Sequence, residues 1–118
     1  MDIDGLVTVA LEIELSPKGS EEPRRALERV LSDLVEGLKQ AGCTLIGHIK
    51  GRIAYGDGQS LFFSITTLDN NLSFKGRPLG GEGPLSLAVN VIVAGVEKDE
   101  VAKLLESSLN RYFHFSPP

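Results

Sequence analysis

Three side chains able to carry positive charge recur at alternate positions in Gly47-His48-Ile49-Lys50-Gly51-Arg52. On an extended strand alternate residues share a face, so His48, Lys50 and Arg52 project together while Leu45, Ile49 and Ile53 project to the other side. Arginine offers a planar fork and lysine a compact charge to a phosphate or carboxylate. Lys75 and Arg77, in a glycine-rich connection further along, can converge on the same anion. The ligand-binding candidates are therefore His48, Lys50, Arg52, Lys75 and Arg77. The competing account is charge balance, because the chain carries 16 acidic residues against 12 basic ones.

Other chemistries find less support. Histidine is the side-chain type suited to general-base work, yet no oriented partner can be read beside His48. With Glu12, Glu14 and Asn90 it makes an oxygen-and-nitrogen set on one face. The chain has only two histidines, though, and no local metal-ligand spacing such as H-E-x-x-H. Gly76, Gly80, Gly81 and Gly83 resemble a phosphate loop in composition but do not spell one. Ser64, Thr66 and Ser86 lack a nucleophile elbow. Cys43 reads as a small buried apolar group. We expect no catalytic residue, no metal site and no cofactor, and the balance leans away from an enzyme.

Composition sets the bounds. A chain of 118 residues, 42% hydrophobic and 24% charged, suits a single globular domain over 1–118. A net charge of -4 disfavours bulk nucleic-acid affinity. The lone cysteine excludes an internal disulfide and suits a reducing, cytoplasmic setting. No export signal or membrane span is visible.

The elements that must position the cationic stripe follow from periodicity. Leu6 to Leu15 alternates as a half-buried strand. Ser20 is the expected N-cap of a helix with Glu21, Glu22 and Pro23 in its first turn. Leu27, Val30, Leu31, Leu34 and Leu38 form its apolar stripe, and Gly42 stops it. Strands are expected over Cys43 to Tyr55, Ser60 to Leu68 and Leu85 to Ala94, the last of them central. The connection over 69–84 is long, and its Leu72-Ser73-Phe74 can pair briefly with an edge. Glu97 to Tyr112 is the second helix. The fold class is α+β: a two-layer sandwich, with a four-stranded, mostly antiparallel sheet, two helices on one face, and the order β-α-β-β-β-α.

That arrangement leaves one sheet face open, carrying Thr8, Glu12, Glu14, Thr44, Ile46, His48, Lys50, Arg52, Ser64, Thr66, Ser86, Asn90 and Ile92. With Leu6, Phe62 and Ala88 it is more aliphatic than a purely wet face. Stacking two copies would bury those atoms and pair Glu12 or Glu14 with Lys50 or Arg52, across the interface or along one sheet. We expect a homodimer, or docking on a protein partner, through this face. The alternative is a small-anion or small-ligand binding protein, an enzyme among the options, using His48, Lys50 and Arg52.

Two resemblances bear on this reading. The order of elements is similar to that of ribosome hibernation factors, which bind ribosomal RNA. Here the helices are not rich in Lys and Arg and the net charge is negative, which counts against RNA. Ile46-Gly47-His48-Ile49-Lys50, followed by a serine-bearing strand at Ser64, resembles segments of domains that accompany CobW-type metallochaperone GTPases. The nucleotide-binding motifs of those GTPases are absent, so the resemblance implies an accessory or partner-binding module.

Overall fold

The computed structural model describes residues 5–56, 59–76 and 84–116. Within them the elements run β1 (Leu6–Pro17), α1 (Pro23–Gln40), β2 (Leu45–Tyr55), β3 (Ser60–Ile65), β4 (Ser73–Gly76), β5 (Leu85–Ala94), α2 (Lys98–Tyr112) and β6 (Phe113–Phe115). The strands form one sheet in the order β4-β3-β2-β5-β1-β6, with every pairing antiparallel. The α+β class is as expected and β5 is central. The sheet has six strands, however, not four.

Both extra strands are short; a local side-chain clasp sets up one, and tertiary burial sets up the other. The third strand stops at Ile65, not Leu68, because a side-chain clasp turns the chain there. The backbone N–H groups of Thr66 and Thr67 donate to Asn71 Oδ1 at 2.9 and 3.1 Å, and Asn71 Nδ2 donates to Thr66 Oγ1 at 2.8 Å. Asn70 takes a positive φ of 56°, which asparagine tolerates. The chain returns antiparallel on β3 as β4, so Lys75 sits on a strand and not in a loop. At the other edge, α2 runs directly into β6, whose Phe113 is fully buried while its backbone pairs with the end of β1.

Helix α1 begins one residue after Glu22, not at Ser20. Pro23 occupies its first turn, where a missing N–H costs nothing, and no side chain caps it. Glu21 is engaged elsewhere, accepting from Arg29 Nε at 3.0 Å. The C-terminus closes as a Schellman motif. Gly42, at φ 98°, donates to Lys39 O, and the next N–H, of Cys43, donates to Leu38 O. That geometry carries Cys43 into the core, where its thiol meets Leu45 O at 3.4 Å.

Seven residues of α1, Ala26, Leu27, Val30, Leu31, Leu34, Val35 and Leu38, are buried, and α2 buries Val101, Leu105, Ser108 and Leu109. They share one core with Val9, Ile13, Ile49, Ile53, Phe63, Val89 and Val91. Both helices therefore cover the same sheet face. Each fully buried leucine contributes roughly 1.5–3 kcal/mol relative to exposure. The helices are also tied to each other: Asp33 Oδ2 on α1 accepts from Tyr112 Oη at 2.7 Å and from Arg111 Nη1 at 3.0 Å.

One register correction matters for the face opposite the helices. Pairing of β2 with β5 shifts between Ile46 and His48, so Gly47 is a bulge. The alternation changes phase there. Ile46, expected on the open face, is 2% exposed in the core; Leu45, expected inside, is 53% exposed. A Cβ at Gly47 would lie 3.1 Å from Ile92 Cγ2, which favours glycine at the bulge. Thr44 and Thr66, also assigned to that face, lie just outside the strands.

Candidate functional site

The open face is a set of cross-strand rows fixed by register. One row runs Glu12, Ala88, Arg52, Phe62, Lys75 across β1, β5, β2, β3 and β4. The next runs Ala10, Asn90, Lys50, Ser64, Ser73. Beyond them lie Thr8, Ile92, His48 and then Leu6, Ala94, Leu45. The first two rows line a concavity of about 760 Å³.

Three of the expected ligand-binding residues, Lys50, Arg52 and Lys75, line this concavity together. Gly51 contributes by what it lacks. An added Cβ would meet Phe63 Cζ at 2.5 Å and Ala88 O at 2.2 Å, so only glycine lets the β2 backbone lie this close to its neighbours. His48 stands one row away, tethered weakly to Asn90 Nδ2, which lies 3.4 Å from its Nε2. Asn90 itself lines the concavity. Arg77 lies outside the described residues.

The electrostatics of the face are uneven. Glu12 and Glu14 lie on β1, and Lys50, Arg52 and Lys75 on β2 and β4. Arg52 Nη1 donates to Ser60 Oγ at 3.3 Å. Ion pairs among the described residues lie on the helices and the loop before α1: Arg24–Glu28, Arg29–Glu21 and Arg111–Asp33. The expected pairing of Glu12 or Glu14 with Lys50 or Arg52 within one sheet is not made, since β5 separates the two strands. Glu12 and the three cations thus border the same concavity from opposite sides of β5.

Sequence reasoning missed Leu45 on this face and the alignment of Lys75 with Phe62. Gly47, a glycine inside a strand, is the signal that could have found the first. The second needed the fold-back at Asn71. The face can hold an anion or an apolar surface. Among the described residues Ser64 and His48 offer no acid–base pair: His48's side-chain partner is Asn90, and no carboxylate is hydrogen-bonded to orient it. Among the described residues no three His, Cys, Asp or Glu come together to hold a metal ion, and no helix is long and apolar enough to cross a membrane.

No family model matches the chain and no curated protein matches its sequence. Two solved structures share its fold: Zn(II)-bound YjiA GTPase from E. coli and a Zn(II)-bound triple mutant of YjiA GTPase. Each superposes with a TM-score of 0.51 at 20% identity, over 87% of this chain and 29% of the YjiA chain. The chain therefore spans less than a third of the length of the protein it matches. The partial resemblance to a domain of CobW-type metallochaperone GTPases holds at the level of fold.

Proposed function

We propose that this chain is a non-enzymatic interaction module that docks through the open face of its sheet. One observation carries the reading. The large hydrophobic side chains left exposed among the described residues are Leu6 at 40%, Leu45 at 53% and Phe62 at 51%, and all three lie on that face. Scattered exposed leucines need no explanation, but their confinement to one face does. The fold shared with a minor part of a larger GTPase chain supports an accessory role, with no nucleotide site implied here. Sedimentation at micromolar concentration tests it. Association that is lost in Leu45→Asp and in Phe62→Asp supports the reading, whereas association indifferent to both overturns it.

The concavity favours a second reading. Lys50, Arg52 and Lys75 border one hollow, with Glu12 at its far side, and none of the three is ion-paired among the described residues, an arrangement suited to a phosphate or carboxylate. Titration calorimetry with inorganic phosphate separates the two. Binding that disappears in Lys50→Ala while the sedimenting mass stays unchanged would replace the docking reading with this one.

A further inference from the structure

The charges and apolar rows of the open face are arranged so that the face complements itself. We infer that its occupant is a second copy of this chain, stacked face to face about a two-fold axis that runs along β5, so that Glu12 of each copy meets Arg52 of the other. This rests on the open-face docking reading and adds the partner and its orientation.

The geometry follows from the sheet order. β5 has β1 on one side and β2 on the other. A two-fold axis along β5, lying between two stacked sheets, keeps height along the strands and reverses left and right. Each cross-strand row then lies over its own reverse. In the row Glu12, Ala88, Arg52, alanine faces alanine at the axis and Glu12 of one copy stands over Arg52 of the other, twice by symmetry. In the row Leu6, Ala94, Leu45, the leucines cover each other and their alanines. Ile92 faces Ile92. The concavity reaches from Glu12 on β1 to Lys75 on β4, and β1 of the second copy brings its Glu12 above the Arg52 side of it.

The other in-plane two-fold, across the strands, stacks β1 on β1 and β2 on β2. That sets acid over acid and base over base, so charge selects the axis along β5. Aligned sheets pack about 10 Å apart and rotated by roughly 30°. With the centre of rotation midway between the Glu12 and Leu6 rows, roughly 10 Å along the strands from each, that rotation displaces a side chain by about 5 Å, within the reach of glutamate and arginine.

The test exploits the symmetry. Glu12→Arg places arginine over Arg52 at both contacts, and Arg52→Glu places glutamate over Glu12 at both. Each single variant should weaken dimerisation by about tenfold or more, measured by sedimentation. An equimolar mixture of the two restores opposite charges at both contacts, so a mixed dimer should form with close to wild-type affinity. Circular dichroism and urea unfolding of each variant establish that it is folded. A mixture no more associated than its components overturns the proposed orientation, and a wild-type chain that remains monomeric into the high micromolar range overturns the second copy as occupant. Leu45→Asp separates the levels: if it dissociates a dimer that the mixture cannot restore, only the orientation fails, and if the dimer survives it, the open-face reading fails too.

Discussion

Replacing Ile46 with alanine should cost far more stability than replacing Leu45, the reverse of what unbroken alternation along β2 predicts. Ile46 is 2% exposed and pairs with Val93 on the helix-covered side, whereas Leu45 is 53% exposed. Ile46→Ala removes three buried carbons at roughly 0.8 kcal/mol each, and the cavity they leave raises the loss to about 3 kcal/mol. Leu45→Ala removes atoms already half in water, for about 1 kcal/mol or less. With a urea dependence of about 1–3 kcal/mol per molar, Ile46→Ala should lower the unfolding midpoint by roughly 1–3 M. Leu45→Ala should lower it by a third of that or less. Unfolding followed by circular dichroism at low protein concentration measures both without help from association. At high concentration the proposed dimer predicts a further deficit for Leu45→Ala that Ile46→Ala lacks, because of the two only Leu45 would be covered by a second copy. If Leu45→Ala is the more damaging change at low concentration, the phase reversal at Gly47 is wrong, and the composition of the open face with it.

Gly51→Ala should destabilise by about 2–3 kcal/mol in the same urea assay, since the overpacked Cβ meets a backbone carbonyl that cannot retreat without breaking the β2–β5 ladder. Gly19→Ala, with nothing within 4 Å, is the control, and equal effects would refute the close packing at Gly51. The hydrogen bond to Asp33, with burial and the Asp33 charge, raises the pKa of Tyr112 above its ordinary value. The folded state therefore holds this proton more tightly than the unfolded chain. Its stabilising contribution is intact below the ordinary phenol pKa of about 10 and is lost as pH rises through the folded value. Asp33→Ala should lower the phenolate titration, read by ultraviolet absorbance in a Tyr55→Phe background; an unchanged titration would contradict the Asp33–Tyr112 bond. Cys43, buried behind the Schellman turn, should react slowly with a thiol reagent in the native state and rapidly in urea, and fast native labelling would show that the α1 terminus is misplaced.

The elements legible in the sequence are those whose burial repeats over many residues. Leu27 to Leu38 and Val101 to Leu109 repeat at helical spacing, and Leu85 to Val93 alternates through five buried positions. β4 and β6, of four and three residues, are too short to show a period. The pairing of β4 is decided by the side-chain clasp at Asn71, and that of β6 by the burial of Phe113. The start of α1 misled because Ser20 is a good capping residue by type, whereas Pro23 sets the first turn by its fixed φ. Local propensity and local covalent constraint disagreed, and the constraint prevailed.

The candidate site was legible only as far as parity reaches. Alternation places Lys50 and Arg52 together, but that Glu12 shares a row with Arg52 depends on β5 lying between their strands, a pairing over dozens of residues that no local pattern encodes. The likeness of Ile46-Gly47-His48-Ile49-Lys50 to CobW-associated segments has a physical explanation at the same place. This is the stretch where β2 changes phase, with Ile46 and Ile49 both turned inward around a glycine packed against Ile92. The bulge favours glycine at 47 and apolar residues on its inward side whatever the surface binds. The segment therefore speaks for the fold, and the functional reading must rest on side chains outside it, Glu12, Leu45, Arg52 and Phe62, which the fold leaves exposed and which no folding requirement explains.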